Sequence, residues 1–476
     1  MKTANASSAA KHFSRKQPLP PPRFFRAERS PNSRPGIVVA VTVLALIAGT
    51  DAARAAAGEL DPTFGRTANG MVTTDFSHTS DNAYAVAVQP DGKIVAVGTT
   101  YANNDYSDED FAIVRYNTNG TLDRSFGTNG RVTTDFPGLA AVPSAVIIQP
   151  DGKILVGGGA FPLFTFLGDF KIVRYNANGT LDTTFGDSGI VTTSFPGQGS
   201  YAFALALQSD GKIIAAGTDF VDFSSEDSSN TDFALARYNS DGTPDTTFGS
   251  GGQLTTDFDG FNDDVYAVLI QPDNKIVAVG SAKNPTNYYD FAAARYLSNG
   301  TIDTTFGTLG KVRTDFGDHN LDIAYTAALQ TDGKIVAAGI AIFNNGASDT
   351  FALARYNSNG TLDTTFSRDG LVKIDFGNTL QSAYQVLIQT DGKIIAVGAS
   401  NGESSDDDFL LARCNAKGNL DRTFGIDGKV RTSFGPLNDG AQGAALQADG
   451  NIVAVGFTAR PNSFPDIAAA RYVGSP

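Results

Sequence analysis

The sequence has one cysteine, Cys414, no tryptophan and three histidines among its 476 residues. A single cysteine excludes an intramolecular disulfide. Related segments elsewhere in the chain have a tyrosine at this position, which favours a small packing substitute over a reactive thiol. Beyond the first 57 residues only His78 and His319 remain, so a histidine-rich metal site or a Ser/Cys–His mechanism has almost no material. No glycine-rich phosphate loop precedes a helix either.

Positive charge is scarce outside the N-terminal segment. The first 57 residues hold nine of the 36 Lys and Arg and two of the 50 Asp and Glu. The remaining chain therefore carries 27 basic and 48 acidic residues, a formal net charge of −21. Such a surface repels nucleic acids and anionic membranes, and it suits cations or basic partners.

The N-terminal segment is expected to direct export. A basic, proline-rich leader precedes the apolar run 36–49, and small residues follow in 53–57. The apolar run is shorter than the roughly 20 residues that span a membrane. We predict a signal peptide with a long basic leader over residues 1–57. The mature protein would then be secreted, periplasmic or attached to the cell surface, without a membrane span. An uncleaved signal anchor is the alternative.

Beyond the N-terminal segment, the chain is a series of related repeats. One ten-residue motif occurs seven times at intervals of about sixty residues. QPDGKIVAVG stands at 89–98, and its variants lie at 149–158, 208–217, 271–280, 330–339, 389–398 and 447–456. Each repeat contains four strand-length segments, such as VTTDF, YAVAVQ, KIVAVG and DFAIVRY, separated by turn sequences. Four strands repeated seven times predict a β-propeller. The alternatives are a β-helix, whose repeats are shorter, and a string of independent sandwiches. A four-stranded unit of about sixty residues is too small to bury its own core, which counts against separate domains.

The phase of the repeats predicts how the ring closes. The first strand segment is an outer one, and the last unit lacks its outer strand. We therefore predict an all-β, seven-bladed β-propeller of four-stranded antiparallel blades over residues 58–476. Its ring would close where strand 71–76 pairs beside 466–472, which removes an exposed sheet edge.

Three repeated motifs, QPDGKIVAVG (89–98), DFALARYN (232–239) and NGTLDTTFG (178–186), resemble the bacterial delta-60 repeat family. The resemblance covers about 60–473. It implies a β-propeller fold and a tendency to be exported, and it brings no established activity or catalytic residues.

An arginine recurs in all seven repeats, and an aspartate recurs in five of them. The arginine is the penultimate residue of the DFALARY segment, for example Arg237, and the aspartate is the penultimate residue of the segment that resembles VTTDF, for example Asp257. We predict an Arg–Asp pair that ties the two outer strands of each blade. A residue present in seven equivalent places is expected to be structural.

Calcium is the one cofactor that the sequence suggests. In NSDGTPD, the oxygens of Asn239, Asp241 and Asp245 alternate along a glycine-containing turn, as in calcium loops. The full Asp-x-Asp-x-Asp-Gly series and a distal Glu are missing, so an ordinary Asx turn is the alternative.

Specificity is expected in the segments that do not repeat. The acidic loops 99–111, 218–233, 259–266 and 400–409 should emerge on one face of the propeller. The predicted ligand-binding residues are Asp105, Asp108, Glu109, Asp227, Asp263, Asp264, Asp406 and Asp407. The alternative is that these loops only keep the protein soluble.

The sequence favours an exported binding or scaffold module, monomeric, that contacts a cation, a glycan or a basic protein surface. The alternative is a hydrolase or lyase acting on extracellular polysaccharide through paired loop carboxylates, whose separation the sequence does not show. A purely structural surface protein is a third possibility.

Overall fold

The structure, a computed structural model, describes residues 55–76, 79–101, 109–162, 168–222, 230–286, 288–317, 321–343, 348–377, 380–400, 407–461 and 463–475. Within these ranges every regular element is a β-strand. A search of the same residues finds no helix with the length and hydropathy needed to cross a membrane.

The strands form seven antiparallel four-stranded sheets, which we number as blades 1 to 7. Blade 1 contains β2 (Asn82–Val88), β3 (Ile94–Tyr101), β4 (Glu109–Tyr116) and β5 (Arg131–Thr134); blade 2 contains β6 (Leu139–Ile148), β7 (Ile154–Pro162), β8 (Asp169–Tyr175) and β9 (Ile190–Thr193); blade 3 contains β10 (Gly199–Leu207), β11 (Ile213–Asp222), β12 (Asn230–Tyr238) and β13 (Gln253–Thr256). Blade 4 contains β14 (Asp263–Ile270), β15 (Ile276–Lys283), β16 (Tyr289–Tyr296) and β17 (Lys311–Thr314); blade 5 contains β18 (Asp322–Leu329), β19 (Ile335–Phe343), β20 (Ser348–Tyr356) and β21 (Leu371–Ile374); blade 6 contains β22 (Gln381–Ile388), β23 (Ile394–Ser400), β24 (Phe409–Cys414) and β25 (Lys429–Thr432). Blade 7 contains β26 (Asp439–Leu446), β27 (Ile452–Thr458), β28 (Asp466–Tyr472) and β1 (Met71–Thr74).

Blade 7 confirms the predicted ring closure. Strand β1 pairs antiparallel with β28, with Met71 opposite Ala470 and Thr74 opposite Ile467. The two ends of the folded region therefore share one sheet, and the outer edge of the C-terminal blade is covered. The fold is the predicted all-β propeller of seven four-stranded blades.

Hydrophobic packing lies between neighbouring blades. The first strands of successive blades contact one another around the centre of the ring, and the second and third strands are buried almost throughout. One core cluster, for example, joins Leu235 and Phe233 of blade 3 to Ile276 and Ala278 of blade 4. Burial on both sides explains why KIVAVG is apolar at consecutive positions instead of alternating.

The glycine that ends each KIVAVG motif is required by a close backbone approach. At Gly339, an added Cβ atom would lie 1.8 Å from the carbonyl oxygen of Ile323 on the first strand. The register between the two strands shifts directly beyond this pair, so Tyr325 is an extra bulge residue. The same shift occurs in all seven blades.

The predicted partner of the repeated arginine was wrong. Arg237 does not pair with Asp257. Its guanidinium contacts Asp245, eight residues further along the chain, with Nε 2.7 Å from Oδ2. The reason is strand direction: Arg237 lies at the end of β12, whereas Asp257 follows the antiparallel strand β13 and therefore lies at the opposite end of the blade.

This Arg–Asp pair also joins each blade to the next. Nη1 of Arg237 donates to the backbone carbonyl of Ser298 in blade 4, and its guanidinium lies 4.7 Å from the ring centre of Phe248. Lys212 approaches Asp245 to 3.0 Å. We call this arrangement the blade latch. Its seven ion pairs are Arg115–Asp123, Arg174–Asp182, Arg237–Asp245, Arg295–Asp303, Arg355–Asp363, Arg413–Asp421 and Arg471–Asp61.

Candidate functional site

The propeller has two unlike faces. One carries the short turns between first and second strands and the seven blade latches, and we call it the turn face. The other carries the segments between second and third strands and the connections from each outer strand to the next blade. We call it the loop face. Because the turn sequences repeat and the loop-face segments vary, specificity is expected on the loop face.

Several predicted ligand-binding residues fall outside the described part of the chain. These are Asp105, Asp108, Asp227 and Asp406. The chain segments flanking them, such as the end of β3 and the start of β4, lie on the loop face.

The other predicted ligand-binding residues lie at strand ends on the loop face. Glu109 begins β4 and accepts a 2.5 Å hydrogen bond from the Tyr101 hydroxyl, and burial raises its carboxyl pKa. Asp407 is buried beside β24, and its backbone carbonyl accepts the amide of Asp439. Asp263 and Asp264 begin β14 of blade 4. The hydroxyl of Thr218 donates to Asp264, whose pKa burial raises to about 6.

The predicted calcium residues lie on the turn face. Asp241 Oδ1 accepts the backbone amide and hydroxyl of Thr243, which is the geometry of an Asx turn. Asn239 donates to the same hydroxyl. Asp245 is the latch residue already held by Arg237 and Lys212. A calcium ion would have to compete with these contacts, and calcium binding at this turn stays a prediction.

Carboxylates gather on the loop face where one blade meets the next. Each group of three has side-chain oxygens within 4.8 Å of one another, and the groups are Asp75–Asp81–Asp466, Asp232–Asp257–Asp263 and Asp290–Asp315–Asp322. One member lies within the first three residues of a third strand, one follows the outermost strand, and one precedes or begins the first strand of the next blade. Asp263 belongs to a cluster that the sequence analysis partly identified, whereas Asp232 and Asp257 were missed as site residues.

Burial makes ionisation costly for the clustered acids. It raises the pKa of Asp263 to about 8, and the neighbouring carboxylates of Asp264 and Asp257 add to the shift. Burial likewise raises the pKa of Asp322 to about 7 and that of Asp81 to about 7. A positive ion or protons must therefore compensate the negative charge of these clusters.

The junction of blades 5 and 6 replaces the buried acid with an amide. Gln381 occupies the first paired position of β22, as Asp263 does in β14. Its side-chain nitrogen donates to Asp375 at 2.8 Å, and its oxygen accepts the amide of Phe376. The pKa of Asp375 is lowered, first by the Gln381 hydrogen bond. An uncharged donor thus fills this position where the acid is absent.

Aromatic side chains from four successive blades contact one another near the centre of the ring. Phe203, Tyr266, Tyr325 and Tyr384 are the bulge residues of four successive first strands. Their ring centres are 5.0, 5.4 and 5.3 Å apart in sequence order. The bulge directs each side chain toward the equivalent residue of the next blade, which the strand pattern alone did not predict.

Cys414 is fully buried, and burial raises its pKa to about 12. A thiol in this state remains protonated at neutral pH. This agrees with a packing substitute for the tyrosine of the other repeats.

Six segments of the chain match the family described as a domain of unknown function (DUF5122) beta-propeller. They are residues 89–126, 149–185, 208–248, 271–306, 330–366 and 389–424. The matches support the assignment of these repeats to a β-propeller repeat family of unknown function. No curated protein matches the chain.

Solved structures resemble the fold at low sequence identity. A protein of unknown function from Dyadobacter fermentans is 13% identical, with 84% of this chain and 97% of that one covered and a TM-score of 0.43. A catalytically inactive virginiamycin B lyase from Staphylococcus aureus is 11% identical, with 84% and 98% covered and a TM-score of 0.48. An ulvan lyase is 10% identical, with 85% and 96% covered and a TM-score of 0.45.

Proposed function

We propose that this chain is an exported binding or scaffold module of the delta-60 type, acting at or outside the cell envelope through its acidic loop face. The difference between the two faces is the observation that supports this function. On the turn face each buried latch aspartate has an arginine partner. On the loop face, carboxylates accumulate in buried groups, and the connecting sequences differ from blade to blade.

Basic partners suit this surface best. The chain beyond residue 57 has an excess of 21 negative charges, and the variable loops include Asp105, Asp108, Asp227 and Asp406. Negative charge held on one face attracts a cationic ligand and speeds its association. The rigid ring holds the loops of several blades together, as a large binding surface requires.

The binding proposal is tested by two variants of equal charge change. The first converts Asp105, Asp108, Asp227 and Asp406 to asparagine, and the second does so at the turn-face residues Asp91, Asp151, Asp210 and Asp391. A fluorescent decalysine peptide is the probe, measured by anisotropy in EDTA. We expect the loop-face variant to bind about tenfold more weakly and the turn-face variant to bind like the parent, because exposed pairs contribute about 0.2–1 kcal/mol each.

An equal loss of binding in both variants would contradict a dedicated face, because it would reflect net charge alone. The absence of saturable binding in the parent would also contradict it. Turnover of a polysaccharide that disappears in a single Asp→Asn variant would instead establish the hydrolase or lyase alternative.

Export is the other part of the proposal, and the basic, apolar and small-residue sections of residues 1–57 support it. We expect the full chain to be recovered outside the cytoplasm of a bacterial host, with residues 1–57 removed. A chain that starts at Gly58 should remain inside. Fractionation followed by N-terminal sequencing measures both, and equal distribution of the two chains would contradict export by this segment.

A further inference from the structure

Among the clusters of three acids in the described part of the chain, the one at the junction of blades 3 and 4 has the fewest side-chain partners. Asp232 is the half-buried third residue of β12, Asp257 follows β13, and Asp263 begins β14. One side-chain oxygen from each lies within 4.8 Å of the others. Asp263 is fully buried and Asp257 is exposed, so the cluster is open to solvent on one side only.

Two oxygens in this cluster are buried without a hydrogen-bond partner among the described residues, namely Oδ1 of Asp263 and Oδ1 of Asp232. The other Asp263 oxygen is fixed, because Oδ2 accepts the backbone amide of Phe258 at 2.5 Å. Asp257 is also held in place, since its Oδ1 accepts the amides of Asp259 and Gly260. A buried oxygen that lacks a donor is costly, so a ligand or a proton is needed there.

Nearby cationic side chains are directed at other atoms. Lys311 Nζ donates to the backbone carbonyl of Asp257 at 2.5 Å. Arg313 donates to the carbonyl of Phe258 and pairs with Asp259 at 3.1 Å. These charges moderate the potential of the cluster. In the described part of the chain, neither side chain forms an ion pair with any of the three carboxylates.

Other junctions supply fixed partners to the equivalent acids. Arg460 lies 3.2 Å from Asp466, and Arg431 lies 3.3 Å from Asp408. Asn284 donates to both oxygens of Asp290, and Ser194 donates to Asp169 at 2.6 Å. The Asp232–Asp257–Asp263 cluster retains three acids without such a partner within the described ranges, and this singles it out.

We propose that Asp232, Asp257 and Asp263 bind one divalent cation of the calcium class between blades 3 and 4. All three ligands are hard carboxylate oxygens. A calcium ion with ligand distances of 2.3–2.6 Å spans oxygens up to about 5 Å apart, which the cluster satisfies. Water completes the coordination on the exposed side, at Asp257. The ion joins three chain segments from two blades and organises the loop 259–262 above it. This calcium site rests on the proposed function only because both lie on the loop face.

Calorimetric titration of the metal-stripped full chain with calcium chloride, at constant ionic strength and pH 7.5, tests the site. We expect one ion per chain, with a dissociation constant of about 0.1–1 mM, typical of extracellular modules. Asp257→Asn and Asp263→Asn should each weaken binding about tenfold or more, because each removes a charged ligand. Asp315→Asn, at the neighbouring junction, and Asp241→Asn, on the turn face, are matched controls and should leave the affinity unchanged.

A melt measured alongside provides a readout that does not depend on calorimetry. Calcium at a hundredfold excess over the dissociation constant should raise the melting temperature of the parent and of both control variants. The same calcium concentration should raise the melting temperature of Asp263→Asn by about half as much or less, because tenfold weaker binding leaves only about a tenfold excess over its dissociation constant. Without metal, that variant should melt no lower than the parent because its amide is uncharged. No saturable binding up to about 10 mM calcium, or equal weakening in Asp315→Asn, would overturn the proposal and assign protons to the cluster. Decalysine binding in EDTA is independent of the ion, so failure of this site is distinguishable from failure of the proposed function.

Discussion

Replacing Arg237 with alanine should lower the free energy of unfolding by about 3–5 kcal/mol, the usual cost of removing one partner of a buried ion pair. The residue Arg237 is 5% exposed, which places its charge in the protein interior. The substitution removes the 2.7 Å bond to Asp245, the donor to Ser298 in the next blade, and the cation–π contact with Phe248. Equilibrium unfolding in urea measures the loss.

An arginine that lies outside the latch is the control. Arg422 is exposed and forms none of the seven latch pairs, so Arg422→Ala should change stability by no more than about 0.5 kcal/mol. Equal stability of the two variants would show that the latch does not hold the blades together.

The pH dependence of the free energy of unfolding is a second test of the same latch. Burial raises the pKa of Asp245, but the hydrogen bonds from Thr247 and the charges of Lys212 and Arg237 outweigh burial and hold that pKa well below its usual range. Because the folded pKa is depressed, the ionised carboxylate stabilises the protein above the unfolded value of about 3.9. That stabilisation is lost as pH falls through the folded value. The stability difference between the parent and Asp245→Asn should therefore be constant at neutral pH and shrink below about pH 4. A difference that persists unchanged into strong acid would contradict an electrostatic latch.

The strands and their order could be predicted because each repeat carries its own local signals. The Asp-Gly turn of QPDGK fixes a hairpin, and the segments on either side have the length and composition of strands. Repetition then supplies the ring, since a four-stranded unit cannot bury its apolar surfaces alone. Closure by β1 followed from the phase of the repeats, without knowledge of any side-chain contact.

The partner of the repeated arginine was predicted wrongly although the strand order already contained the answer. Arg237 and Asp257 end two neighbouring antiparallel strands, so the two residues lie on opposite faces of the propeller. Asp245 lies in the segment after β12, on the same face as Arg237. A check of strand direction would have selected it.

The carboxylate cluster was harder to anticipate. Asp263 stands in an acidic variable segment and is among the predicted ligand-binding residues. Asp232 lies in the acidic loop 218–233 but is not among those residues, and Asp257 belongs to the repeated motif that predicts a structural pair. The three acids meet only because consecutive blades pack side by side. Recurring acids at the start of the third strand and after the fourth, together with an acid at the start of the next first strand, were the available signal.

Removal of residues 55–76 should abolish cooperative folding, which is the largest effect that we expect. This segment supplies β1 to blade 7 and the latch aspartate Asp61, which lies 2.9 Å from Arg471. It also supplies Phe64, which is fully buried and stacks 4.8 Å from the same guanidinium. Circular dichroism melts and size-exclusion chromatography of the truncated chain measure the outcome.

The expected decrease in the free energy of unfolding follows from the loss of two separate interactions. An unpaired buried Arg471 costs about 3–5 kcal/mol, and loss of a buried phenylalanine costs about as much. Together these losses approach the total stability of about 5–15 kcal/mol that folded proteins have. The uncovered backbone of β28 would add a sheet edge that promotes association between chains.

A chain that lacks residues 1–54 is the matched control, and it should melt like the parent because it keeps the whole closing segment. Addition of a synthetic peptide of residues 55–76 to the truncated chain should restore a cooperative melt, since β1 is covalently remote from the blade that it completes. Cooperative melting of the truncated chain at the parent temperature would contradict ring closure as a condition of stability. Arg471 also donates to the carbonyl of Thr118 in blade 1, so the closing segment acts on both sides of the seam between the last blade and the first.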